Sequence, residues 1–154
     1  MTRSLPFHIR VAEQADVAEL CRLLDILFSI EADFTPDAVL QRQGLELLLQ
    51  RGNTAVVLVA EWDGEVIGMC SAQTLVSTAQ GSVVALVEDV VVEPGRRGEG
   101  VGGALLDALE GWARENGITR LQLLADRANT PALDFYQGRG WQATQLMAWR
   151  KFIE

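Results

Sequence analysis

Arg96, Arg97, Gly98, Gly100, Gly102 and Gly103 stand within eight consecutive residues, one residue after the apolar run ALVEDVVVEP and at the opening of a helical pattern. A strand that passes through a glycine-rich turn into a helix leaves the first N–H groups of that helix without intrahelical partners, all aimed one way. Helix dipole and free amides together attract phosphate, and glycines let phosphate oxygens approach the main chain closely. The two arginines add cationic charge where an acidic chain would otherwise repel a polyphosphate. One glycine serves merely to ease a turn. Four are hard to explain that way, because each glycine in a first helical turn costs about 1 kcal/mol of helix propensity. The joint reads as a cradle for a diphosphate.

Two nucleotide motifs compete for it. Gly98, Gly100 and Gly103 satisfy G-x-G-x-x-G, and Asp126 follows the next short strand, where a ribose-binding acid would stand. A dinucleotide fingerprint, however, opens the first strand of a long parallel series, with its first glycine at the strand end. Here a hairpin meander precedes it, four residues separate Glu93 from Gly98, and about 50 residues remain after Gly103. A dinucleotide-binding protein is therefore the poorer fit. No Gly-Lys-Ser/Thr occurs, which removes a Walker loop.

The elements that position this joint follow from periodicity. FHIRVA alternates as a short first strand. Val17, Leu20, Leu24, Leu27 and Phe28 recur at helical spacing and predict a helix near residues 15 to 30. FTPD offers Thr35 as a cap and Pro36 at the first helical position, for a second helix to about Gln50. TAVVLVAEW and EVIGMCSAQTLV, joined by Asp-Gly, predict a hairpin, and VVALVEDVVVE extends the meander after STAQGS. Then come a helix with Val101, Leu105, Leu109 and Trp112 on one face, a short strand TRLQLLA, a capped helix TPALDFYQGRG and a closing strand in WQATQLMAWRKFI.

The chain has 154 residues, enough for one domain with a core and too few for two, so residues 1–154 are read as a single domain. A net charge of −8 argues against a nucleic-acid surface and favours a cationic partner. No apolar run is long enough to span a bilayer or to form a secretory signal core, so a soluble, cytoplasmic protein without a membrane partner is expected. Cys21 and Cys70 have no companions at metal spacing and read as buried reduced thiols; no metal is expected. The single histidine, His8, is given no role.

With those residues in place, the sequence resembles the GNAT superfamily of acetyl-CoA-dependent N-acetyltransferases. The family's Arg/Gln-x-x-Gly-x-Gly/Ala signature is similar to Arg97-Gly-Glu-Gly100-Val-Gly102, and NTPALDFYQGRGW resembles its later Asn…Ala…Tyr…Gly-Phe pattern, with Trp141 in place of the usual Phe. The resemblance covers roughly residues 8 to 150. It implies an α/β (α+β) fold with a mixed sheet of about six to seven strands, an antiparallel meander followed by parallel strands 4 and 5, flanked by about four helices. It implies further that main-chain groups of Arg96, Arg97, Gly98, Glu99, Gly100, Val101, Gly102 and Gly103 hold the diphosphate of acetyl-CoA. The exposed backbone of Val90, Val91 and Val92 would pair with the pantetheine arm like an added strand. Asn129 would bond near the pantetheine, although it serves equally well as a helix cap, and Tyr136 would stand beside the thioester sulfur, unless it is a core tyrosine.

Acetyl transfer to an amine needs a neutral nucleophile, a polarised carbonyl and a proton for the departing thiolate. A backbone N–H near Val91 would supply the second and the Tyr136 phenol the third. For the first, Glu88 and Asp89 interrupt the apolar strand just before the pantetheine segment. Because side chains alternate along a strand, one of the two would face the cleft, and Glu88 is the candidate base. The expected reaction is direct transfer in a ternary complex to a primary amine of a small cationic molecule. The acceptor would be shaped by the first two helices, the loop SIEADFTPD with Glu31, Asp33 and Asp37, and the turn STAQGS. A protein or peptide amine is an alternative acceptor, and a catalytically inactive acyl-CoA-binding module an alternative class. The C-terminal strand MAWRKF offers a surface for a homodimer.

Overall fold

The computed structural model describes residues 4–31 and 33–154, and these divide into two compact units, the first up to Gln122 and the second from Leu123 to Glu154. In the first, β1 (His8–Val11), β2 (Ala55–Trp62), β3 (Glu65–Ser77) and β4 (Ser82–Val92) form an antiparallel series, and β5 (Leu121–Leu123) completes a sheet of order β1-β2-β3-β4-β5. Thr119 donates to the carbonyl of Val83 and Ala85 to that of Arg120, the ascending register of a parallel pair. Asp63 and Gly64 close the β2–β3 hairpin with φ of 50° and 79°, the two left-handed residues that a tight hairpin turn requires.

Three helices cover the sheet. The stripe of α1 (Val17–Ile30) buries Val17, Leu20, Leu23 and Leu24 together with Leu45 of α2 (Ala38–Leu49). Both pack on the sheet face that carries Val57, Val59, Met69 and Val91. The opposite face receives α3 (Val101–Glu115), which buries Val101, Leu105, Leu106, Leu109 and Ala113. The close approach depends on Gly68: a Cβ there would lie 3.2 Å from Val101 Cγ1 and 3.3 Å from Leu105 Cδ1. Trp112, expected in the α3 stripe, is only half-buried.

The ladder between β3 and β4 carries one irregularity. Cys70 faces Val90 whereas Ala72 faces Val87, so Glu88 and Asp89 together oppose the single residue Ser71. Such a bulge shifts the alternation of the bulged strand. Ala85 and Val87 share the face of Ala72 and Thr74, but beyond the bulge it is Val90 that aligns with Cys70.

Two expectations need correction. The second helix begins at Ala38, not Pro36, because Asp37 supplies the cap: its Oδ1 accepts from the N–H groups of Val39 and Leu40 at 3.0 and 3.1 Å. Among the described residues the sheet has five strands rather than six to seven, since residues 141–154 carry no strand. Their alternation is real, but a strand exists only through a ladder to a neighbour, and Leu146, Trp149, Phe152 and Ile153 are all more than four-fifths exposed.

In the second unit, α4 (Thr130–Gly138) is capped by Asn129, whose Oδ1 accepts from the N–H of Ala132, and Pro131 sits in its first turn. Phe135, Tyr136 and Trp141 form an aromatic chain with centroids 5.3 and 5.8 Å apart. Among the described residues, no helix is long and apolar enough to cross a membrane.

Candidate functional site

The glycine-rich joint folds as its composition suggests. After β4 a short turn over Pro94–Arg96 leads to Gly98 and Gly100, with φ of 79° and 87°. L side chains pay about 1–2 kcal/mol there. Gly100 is the N-cap of α3 and no side chain caps that end. A Cβ added to Gly98 or Gly100 would meet no protein atom within 4 Å, so these glycines face open space. The turn into α3 is thus uncapped by a side chain and open at Gly98 and Gly100, the arrangement an anionic group needs.

The flanking residues differ in what they can do. Arg96 is held by its neighbours: its guanidinium lies 4.1 Å above the Trp62 ring and within 4.0 Å of the Glu99 carboxylate. Arg97 is exposed and, with Arg22, Ser29 and Pro94, lines a cavity of about 530 Å³ between the joint and α1. Arg22 is anchored there by Glu93 and by the carbonyl of Val66. Val101 and Val91 are buried, while Val90 and Val92 are half-buried. β5 ends at Leu123, whereas β4 runs on to Val92.

The carboxylate pair resolves differently from simple alternation. Glu88 is exposed. Asp89 lines a second cavity of about 460 Å³ bounded by α1, α2 and the segment between them, and its Oδ2 accepts from Ser71 Oγ at 3.2 Å. Burial pushes the Asp89 carboxyl up to about 6; the like charges of Glu88 and Glu31 add to that rise and the Ser71 hydrogen bond opposes it. The bulge produces this arrangement, because it places Asp89 on the face of Val91 that packs against the helices. No pattern in the sequence marks a bulge, so parity along the strand could not have found it. Of the loop acids, Asp37 lines the same cavity but is engaged as a helix cap, and Asp33 is exposed.

Neither thiol is activated. Burial drives Cys70 up to about 12, its Sγ lying 3.8 Å from the carbonyl of Leu105, and burial also raises Cys21. Asp126 accepts from the N–H of Ala128 and its carbonyl from that of Asn129, a turn that leads into α4. Asn129 acts as the cap already described, and Tyr136 is half-buried in the aromatic chain. His8 pairs with Glu61 at 2.9 Å on the surface.

A family model described as Acetyltransferase (GNAT) matches residues 19–141. An uncharacterized N-acetyltransferase of Bacillus subtilis is 30% identical over 138 residues, covering 88% of this chain and 89% of that one. An aminoglycoside N(6')-acetyltransferase of Stenotrophomonas maltophilia is 28% identical over 144 residues, covering 92% and 90%. Among solved structures, an aminoglycoside N-acetyltransferase in complex with CoA superposes with a TM-score of 0.82 at 22% identity over 98% of both chains.

Proposed function

The chain belongs to the GNAT acetyltransferase family, and from that premise we propose that it transfers the acetyl group of acetyl-CoA to a primary amine of a small cationic molecule, with residues 1–154 acting as one domain. The observation that carries this reading is the N-terminus of α3, uncapped by any side chain and entered through two left-handed glycines that face open space. That geometry fits a diphosphate, because it presents main-chain donors without a side chain in the way. Main-chain groups from Arg97 to Gly103 hold the diphosphate, with the Arg97 side chain adding charge and Arg96 fixing the turn against Trp62. The Val90–Val92 edge aligns the pantetheine amides as an added strand would, and Asn129 combines its cap with a bond near the pantetheine.

Acetyl-CoA supplies an activated acyl group; the chain's residues supply orientation and proton traffic. Asp89, held by Ser71 immediately before the Val90–Val92 edge, takes the proton from the incoming ammonium. It replaces Glu88 in that role, because Glu88 faces solvent and Asp89 faces the cavity. A main-chain N–H near Val91 polarises the carbonyl, and the Tyr136 phenol returns a proton to the leaving sulfur. Transfer is direct, since burial holds the Cys70 thiol protonated and raises the Cys21 thiol as well, with Asp25 and Glu46 adding to that rise.

Release of free thiol from acetyl-CoA with a panel of amines, with mass detection of the acetylated product, tests this reading. Turnover is expected. An acetyl-CoA-binding protein with no turnover on any amine would instead be the inactive module. Tyr136→Phe is expected to lower kcat while leaving the acetyl-CoA Kd nearly intact, and an unchanged rate would remove Tyr136 as the acid. A Cys21→Ala/Cys70→Ala double variant is expected to retain turnover; loss of turnover in a folded protein would point to an acetyl-enzyme.

A further inference from the structure

Taking the chain as an amine acetyltransferase, we propose that its acceptor is a monoamine with an alkyl or aryl body: one ammonium against Asp89 and an apolar remainder between α1 and α2, in preference to a polycation.

The cavity in front of Asp89 is of ordinary ligand size, about 460 Å³. Its walls are mainly apolar, with Leu24 and Phe28 from α1, Phe34 from the following segment, and Leu40, Leu47 and Leu48 from α2. Phe28 and Phe34 stand with centroids 5.2 Å apart, a tilted pair against which an aromatic ring can pack. Phe34, Leu40 and Leu47 remain 42%, 63% and 66% exposed, so the mouth presents apolar surface that an acceptor body would cover.

The charged lining points the same way. It consists of Asp37, Asp89 and Arg51. Oδ1 of Asp37 accepts from the first N–H groups of α2, and Arg51 donates to Gln73 Oε1 at 3.2 Å, which keeps a guanidinium in the cavity lining. Gln41 is engaged as well, accepting from the N–H of Asp37 and donating to the carbonyl of Cys21 and to Asp25 Oδ1. Asp89, directly before Val90–Val92 on β4 and with Oδ2 bonded to Ser71, is the carboxylate placed to meet an ammonium beside that edge. A second ammonium would find the helix-capping Asp37, the Arg51 guanidinium and leucine side chains, a poor setting for another cation. The acids outside, Glu31 and Glu88, act on Asp89 through space and draw cations toward the mouth without lining the cavity.

The test compares kcat/KM, read as thiol release from acetyl-CoA, for phenethylamine, tryptamine and hexylamine with that for spermidine, kanamycin and a lysine-containing peptide. The apolar monoamines are expected to exceed the others by at least tenfold. Phe34→Ala, at an exposed position where the fold tolerates truncation, is expected to raise the KM for phenethylamine about tenfold and leave the KM for acetyl-CoA unchanged. A preference for kanamycin, spermidine or the peptide overturns the acceptor assignment and leaves the transferase reading standing. Failure to acetylate any amine, with acetyl-CoA binding intact, overturns both. An unchanged phenethylamine KM in Phe34→Ala overturns the placement of the acceptor body.

Discussion

Asp89 ties the chemistry to a measurable cost. A carboxyl that burial raises to about 6 is in its basic form only above that pH, so kcat/KM is expected to climb as pH rises through about 6 and then level off. Ser71 donates to that carboxylate and favours its charged form. Ser71→Ala should therefore move the acidic limb to higher pH. Asp89→Asn should abolish the limb and lower kcat/KM by about 10²–10⁴. The sign for stability is opposite. A folded-state value above the unfolded one favours the fold below about pH 4, and that advantage is lost as pH rises through about 6. At pH 7.5 Asp89→Asn is thus expected to be more stable than the native protein, by about 1–2 kcal/mol in a denaturant titration. A loss of both stability and activity would mean that Asp89 serves the fold alone. The candidate pair was legible in the sequence as two acids breaking an apolar strand. Which of them enters the cavity was not, because the answer depends on a bulge opposite Ser71 that leaves no composition signal.

At the scale of elements, the placement of α3 hinges on Gly68. A methyl group there would press on the terminal methyls of Val101 and Leu105 and on the main-chain carbonyl of Val91 at 3.2–3.3 Å, so these buried neighbours would have to give by a few tenths of an ångström. Gly68→Ala is expected to cost about 1–3 kcal/mol and to weaken acetyl-CoA binding by displacing the start of α3, although residue 68 is far from the joint in sequence. An unchanged melting temperature and an unchanged Kd would show that the helix has slack. The helices and the meander were readable from periods of 3.6 and 2, and the Asp63-Gly64 turn from its dipeptide. The start of α2 was misplaced by two residues because Thr35-Pro36 imitates a cap and first turn, while the carboxylate of Asp37 binds the free N–H groups instead. The closing strand failed for a different reason: propensity can be written into residues 141–154, but a hydrogen-bonded partner cannot.

For the whole molecule, charge and exposed apolar surface have separate consequences. A net charge of −8 concentrates cationic acceptors near the protein, so kcat/KM for an amine is expected to fall as salt rises from 10 to 500 mM, more steeply for the association step than for kcat. A salt-independent kcat/KM would leave the acidic field without a role in substrate capture. Leu146, Trp149, Phe152 and Ile153 are each exposed, and we propose the C-terminal segment as a dimer surface; sedimentation equilibrium should then show a dimer that a chain ending at Trp141 no longer forms. A monomer in both cases would exclude that surface as an interface. Above these stands the joint itself, the feature most fully written in the sequence, since its glycines specify both the left-handed turn and the approachable helix end. Calorimetric titration of acetyl-CoA into the native protein and into Gly100→Ala tests it most directly, because the added methyl group enters open space and costs the fold only about 1–2 kcal/mol. The expected result is saturable binding to the native protein and at least a tenfold weaker Kd in the folded variant. Equal affinity in the two proteins, or no binding to either, would contradict the assignment of residues 97–103 as the diphosphate cradle.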